Sequence, residues 1–90
     1  MTTAAVDGGR LLVCPTPIGN LQDVTLRVLD ALREADVVAC EDTRHTGLLL
    51  KHHRISTTTV SLHEHNERAR AGELAARIGS GDVIALVSDA

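Results

Sequence analysis

The residues in this chain best suited to chemistry fall in short polar bursts between aliphatic runs. Glu41-Asp42-Thr43-Arg44-His45-Thr46 gathers carboxylates, hydroxyls, a guanidinium and an imidazole within one helical turn or two. Asp42 or Thr43 is expected to cap a helix, because a short oxygen-bearing side chain satisfies the first unpaired helical N–H groups. A cap does not account for Arg44 and His45 together, which are suited to holding a phosphate or a hydroxyl. His63-Glu64-His65 invites a metal reading, but the spacing is not that of a zinc-binding HExxH helix. Adjacent residues at a strand end also point to opposite sides. Both histidines therefore read as hydrogen-bonding or substrate-positioning groups, and no metal is expected. Pro15-Thr16-Pro17-Ile18-Gly19-Asn20 is a stiffened loop in which Gly19 admits close backbone approach by a ligand. Composition alone makes it an ordinary proline-rich turn, and the absence of a GxGxxG pattern argues against a dinucleotide fingerprint.

The elements that must position these bursts alternate along the chain. Arg10–Cys14 is a short apolar run and reads as a buried strand. Thr25 to Ala35 is helical in period, with Thr25 as N-cap and Val28, Leu29, Leu32 and Ala35 on one face. Asp36 breaks that pattern, and Val37–Cys40 is a second strand. A second helix spans Thr43 to His52 and carries Leu48, Leu49 and Leu50. The β-branched run Thr58–Leu62 is a third strand. A third helix spans Asn66 to Ile78, with Leu74, Ala75 and Ile78 inward, and is stopped by Gly79-Ser80-Gly81. Val83–Val87 is a fourth strand. The order βαβαβαβ specifies an α/β fold: a parallel sheet with right-handed crossovers, flanked by helices. Ligands of such sheets bind at the carboxyl ends of the strands, and every polar burst falls at such an end.

Ninety residues suffice for one small domain. Apolar residues make up 43 % of the chain and none is Phe, Tyr or Trp, so aliphatic side chains must fill the core. Without aromatic rings, base stacking is left to Arg or His. The net charge of −3 argues against strong nonspecific binding of nucleic acid by this segment, since phosphate attraction rests on Lys and Arg. The Lys51-His52-His53-Arg54 run reads as a solvated helix end. Residues 1–9 read as a flexible leader without the apolar stretch of a signal peptide, and 10–90 as an α/β domain. No run is long enough to span a membrane. Cys14 and Cys40 read as buried free thiols of a cytoplasmic protein. The abrupt stop after the fourth strand is taken as the mark of a fragment.

Taken together, Pro-Thr-Pro-Ile-Gly-Asn (15–20), Cys-Glu-Asp-Thr-Arg-His-Thr (40–46), Leu-His-Glu-His-Asn-Glu (62–67) and Ala-Leu-Val-Ser-Asp-Ala (85–90) resemble the hallmark segments of the ribosomal RNA small-subunit methyltransferase I family, a branch of the tetrapyrrole methylase superfamily. The resemblance implies a two-domain enzyme with S-adenosyl-L-methionine between the domains. It implies 2′-O-methylation of a cytidine in 16S rRNA of the small ribosomal subunit, and a homodimer. It makes this chain the N-terminal domain, truncated and without its second domain. The sheet it implies has the fourth strand between the first and second, the third at the far edge and a fifth beyond the first. Pro15, Thr16, Pro17, Ile18, Gly19 and Asn20 would line the cofactor cleft, and Ser88, Asp89 and Ala90 would begin a second cofactor loop. Asp42, Glu41, His63 and His65 are candidates for the base, and Arg44 and His45 for RNA contact. The lack of a glycine-rich loop after the first strand favours the rRNA branch. Methylation of a corrin or porphyrin, and a non-catalytic nucleotide-binding module, are the rival functions.

Two expectations follow from the implied strand order. Cys14 and Cys40 lie two strand spacings apart, about 10 Å, beyond the roughly 7 Å Cα limit for a disulfide. The strand Arg10–Cys14 is an exposed edge here, prone to pair with a second copy.

Overall fold

A computed structural model of the chain describes residues 2–6, 8–16, 22–63 and 65–89. Its elements, in order, are β1 (Thr2–Val6), β2 (Gly9–Thr16), α1 (Leu26–Glu34), β3 (Val37–Cys40), α2 (Thr43–His52), β4 (Thr59–Ser61), α3 (Glu67–Gly79) and β5 (Val83–Asp89). They form a five-stranded sheet of order β1-β2-β5-β3-β4. Strands β2, β5, β3 and β4 run parallel, as the βαβ alternation requires. The expected α/β architecture and the placing of the last strand between the first and second apolar strands are both present.

Alternation along the inner strands sorts the core into two layers. Leu12 and Cys14 of β2, Val38 and Cys40 of β3, and Ala85 and Val87 of β5 pack with Val28, Leu29 and Leu32 of α1 and Leu49 and Leu50 of α2. The intervening residues, Val37 and Ala39 of β3 and Ile84 of β5, turn to the other face and meet Leu74 and Ile78 of α3. A strand buried on both faces must be apolar at every position, which is why β3 is all aliphatic or thiol. Leu11, Val60 and Leu86 on the α3 side stay partly exposed. One helix does not cover that face as fully as two cover the other.

The reading of residues 1–9 as a flexible leader is corrected for 2–6. These residues form β1, antiparallel to β2, with Val6 opposite Gly9 and Thr2 opposite Val13. The strand Arg10–Cys14 is therefore not an edge. The Asp-Gly pair in the sequence at 7–8 is a strong two-residue hairpin signal, and Gly8 has φ of 88°, which only glycine adopts freely. Small residues hid a strand whose stability comes from the backbone groups of β2. Strand β2 also runs on past the expected end at Cys14, through Pro15 to Thr16. Among the described residues pairing with β1 ends at Val13, so Pro15 has no described β1 partner on that side, the setting that tolerates a proline.

Helix ends obey local chemistry. The Thr25 hydroxyl accepts from the Val28 N–H at 3.1 Å, and Asp42 Oδ1 accepts from the N–H groups of Arg44 and His45 at 3.0 and 3.2 Å. Ala75, expected inward, is exposed, as is Leu48. Leu74 and Ile78 alone supply the buried stripe of α3. Cys14 and Cys40 are both buried, and neither is in a disulfide. Burial pushes the Cys14 thiol up from its ordinary range.

Two glycines should respond oppositely to a methyl group. At buried Gly9 a Cβ would press on backbone carbonyl oxygens of Ile78 and Asp82, the latter at 2.7 Å. Backbone cannot swing aside, so Gly9→Ala should cost about 1–3 kcal/mol or more. Gly72, inside α3, has open space around it, and Gly72→Ala should add about 0.5–1 kcal/mol through helix propensity. Urea denaturation of both variants tests this; the same sign for both would contradict the packing described. The cap gives a second test. Asp42→Ala should lower stability by about 0.5–2 kcal/mol, whereas Asp42→Asn, an equally good cap, should nearly preserve it. Equal losses would mean that capping is not the structural role of Asp42.

Candidate active site

Parallel strands deliver their carboxyl ends to one edge of the sheet, and the polar bursts follow them there. Glu41 leaves β3, Leu62 and His63 leave β4, and Ser88 lies near the end of β5. These residues, with Leu86, Val87 and Glu67 of α3, line an open cleft of about 450 Å³. A neighbouring depression of about 630 Å³ is lined by Glu41, Asp42, Thr43, Arg44, Ser61, His63 and His65. Glu41 and His63 belong to both, so the two form one continuous surface across the ends of β3, β4 and β5.

The register of β2 on β5 adds the fourth strand end. Pro15 lies opposite Ser88, and Thr16 opposite Asp89. The two segments assigned to cofactor loops thus leave the sheet side by side, although they are more than seventy residues apart in sequence. Thr16 is buried and Pro15 exposed. Pro17, Ile18, Gly19, Asn20 and Ala90 lie outside the described residues.

The proposed base candidates differ in what already occupies them. Asp42 commits one carboxylate oxygen to two backbone N–H groups at the start of α2. His63 accepts the His65 N–H at Nδ1, 3.2 Å away, and the two imidazoles meet edge to face at 5.9 Å. His65 is exposed and borders only the second depression. Glu41 is exposed, borders both, and has no hydrogen bond or ion pair to another described residue. Arg44 and His45 stand on the first turn of α2, with Arg44 in the second depression. Among the described residues no three His, Cys, Asp or Glu side chains gather as metal ligands would.

Sequence reasoning missed the framework that holds the β4 exit. Asn66 occupies the cap position of α3, yet its side chain does not cap the helix. Its Oδ1 instead accepts from the His63 N–H at 2.9 Å. Its Nδ2 donates to the carbonyl and hydroxyl oxygens of Ser61 at 3.3 and 3.2 Å. Arg70, one turn into α3, donates from Nε to the same Ser61 carbonyl at 3.1 Å, and is itself held by Glu73 at 3.0 Å. These contacts fix the turn that presents His63. An Asn directly before a helix was the available signal, since its side chain can bond backbone groups three or four residues back as well as cap the helix.

Comparison with known proteins agrees with this layout. The family model for tetrapyrrole (corrin/porphyrin) methylases matches residues 10–89. A ribosomal RNA small subunit methyltransferase I from Escherichia coli O157:H7 is 54 % identical over 82 residues, covering 91 % of this chain and 29 % of the relative. Proteins of the same name from Vibrio cholerae and Synechocystis are 58 % and 51 % identical, over 89 % and 91 % of this chain and 28 % and 29 % of their own lengths. The chain thus spans under a third of the curated relatives it matches. With the parallel sheet, the strand-end cleft and a match over nearly its whole length, the chain belongs to the tetrapyrrole methylase family.

Proposed function

We propose that this chain is the N-terminal domain of an S-adenosyl-L-methionine-dependent methyltransferase that modifies the 2′-hydroxyl of a cytidine in 16S rRNA. The observation that carries the reading is the meeting of the β3, β4 and β5 ends at one cleft, with the end of β2 beside them, Pro15 and Thr16 in register with Ser88 and Asp89. The donor set suits a cationic, partly apolar methyl donor. Glu41 and Glu67 supply negative charge beside a sulfonium and an ammonium, and Leu62, Leu86 and Val87 supply apolar wall. Pro15 to Asn20 and Ser88 to Ala90 would hold that donor. When bound, it supplies a methyl group already activated by positive charge.

The residues of this chain then have limited work. They must align the ribose oxygen and accept its proton. Of Glu41, Asp42, His63 and His65, Glu41 suits the base role best, because it borders both parts of the cleft and no other described residue occupies its carboxylate. Arg44 is placed to hold a backbone phosphate by charge-assisted hydrogen bonds. The partner is the small ribosomal subunit, in the cytoplasm. Among the described residues no helix is long and apolar enough to cross a membrane. A homodimer is part of this reading, and the partly exposed Leu11, Val60 and Leu86 favour a covering partner or domain. Names of the relatives favour rRNA over a corrin or porphyrin acceptor.

Methyl transfer from labelled S-adenosyl-L-methionine to undermethylated small subunits tests this directly. The whole protein should label a cytidine 2′-oxygen, while these ninety residues alone should give no turnover. Glu41→Gln in the whole protein should lower kcat by about 10²–10⁴. Labelling of a porphyrin or corrin instead of rRNA would overturn the acceptor, and full activity of Glu41→Gln would overturn the base.

A further inference from the structure

The imidazole of His63 is held in a way that decides what it can offer a ligand. A neutral imidazole has one nitrogen bearing hydrogen and one bearing a lone pair, and whatever bonds one nitrogen sets the state of the other. The backbone N–H of His65 donates to His63 Nδ1 at 3.2 Å. A backbone N–H can only donate, so Nδ1 must present its lone pair. The ring proton then belongs to Nε2.

The turn around the ring is fixed from both sides. The His63 N–H is tied to Asn66 Oδ1 at 2.9 Å, and Asn66 in turn grips Ser61. His63 borders both parts of the cleft. Beyond the His65 N–H and the edge-to-face contact with the His65 ring, the imidazole has no partner among the described residues. Its Nε2–H is the polar group left for whatever enters.

We infer that His63 binds the acceptor nucleotide as a hydrogen-bond donor, through Nε2–H to a nucleobase carbonyl oxygen, and is not the base of the reaction. The inference rests on the methyltransferase reading for the identity of the ligand, but not for the state of the ring. The neighbours select the acceptor. Glu41 and Glu67 line the same cleft, so a phosphate there would meet two carboxylates. The reacting hydroxyl is disfavoured as well, because a donor bonded to that oxygen stabilises its lone-pair density and makes it a weaker nucleophile toward the methyl group. A neutral carbonyl oxygen satisfies both constraints. A site built to donate to such an oxygen discriminates against nucleotides that lack it, since the donor would be left unpaired once the ligand covers it.

Two measurements test this. Long-range proton–nitrogen correlation on the chain with ¹⁵N-labelled histidine should place the neutral His63 proton on Nε2; a proton on Nδ1 would overturn the inference whatever the enzyme methylates. The second compares His63→Gln, whose amide nitrogen falls near the position of Nε2, with His63→Asn, which reaches only as far as Nδ1. In the whole protein, His63→Gln should keep the KM for small ribosomal subunits within about threefold, and His63→Asn should raise it about tenfold, the effect of one unmade hydrogen bond, with kcat nearly unchanged in both. A loss of about 10²–10⁴ in kcat for both variants would identify His63 as the base and refute the donor role. If the wild-type protein methylated no rRNA while His63 carried its proton on Nε2, the methyltransferase reading would fall and the ring assignment would stand.

Discussion

The insertion of β5 between β2 and β3 is the constraint on which the rest of the molecule depends. It is held at its entrance by backbone and side chain together. Asp36 accepts from the Val83 N–H through its carboxylate at 2.8 Å and donates its own N–H to the Val83 carbonyl at 2.7 Å. The Arg10 N–H donates to the Asp82 carbonyl at 3.1 Å, and Arg77 holds the Asp82 carboxylate at 2.8 Å. Two segments distant in sequence, at Arg10 and Asp36, and the end of α3 therefore agree on where β5 begins. A slip of one residue would turn Ile84 and Ala85, both fully buried, to the wrong faces.

That fixed start has consequences at the other end. With Arg10 opposite Val83, the parallel ladder carries Pro15 to Ser88 and Thr16 to Asp89. Strand β3, paired with β5 on its other side, brings Glu41 to the same rim, and β4 adds His63. The cleft is thus a product of register. No residue in it needs unusual backbone geometry; positive φ among the described residues is confined to Gly8, Arg54 and Gly81, all away from the cleft lining. The second domain of the proposed enzyme would close a wall that this sheet has already aligned.

Much of this was legible in the residues. Val37–Cys40 and Thr43–His52 have the bounds that their apolar runs and flanking polar residues suggested. Asp42 caps α2 because an acid at a strand-to-helix junction has few better uses. What was missed depends on contacts that exist only once neighbouring elements are packed side by side. Thr2–Val6 is a strand because β2 offers it a ladder, and nothing within those five small residues announces one. Ala75 fits an apolar stripe by type, yet it lies exposed beside the buried Leu74 and Ile78. The Asn66–Ser61–Arg70 framework needs β4 and α3 to be side by side before its polar atoms find each other. Likewise, His63 reads as a potential base by composition and becomes a donor only once the His65 N–H faces its Nδ1.

In the proposed enzyme the carboxyl-end rim, and not another surface, receives the methyl donor. The rival surface is the depression lined by Lys51, Arg54, Ile55, Ser56 and Thr57, which lies before β4 and carries two of the basic side chains. Hydrogen exchange of the whole protein with and without S-adenosyl-L-methionine separates the two. Slower exchange should appear in the backbone at 40–42, 61–63 and 86–89, and remain unchanged at 53–58. Protection confined to 53–58, with the strand ends unaffected, would contradict the account.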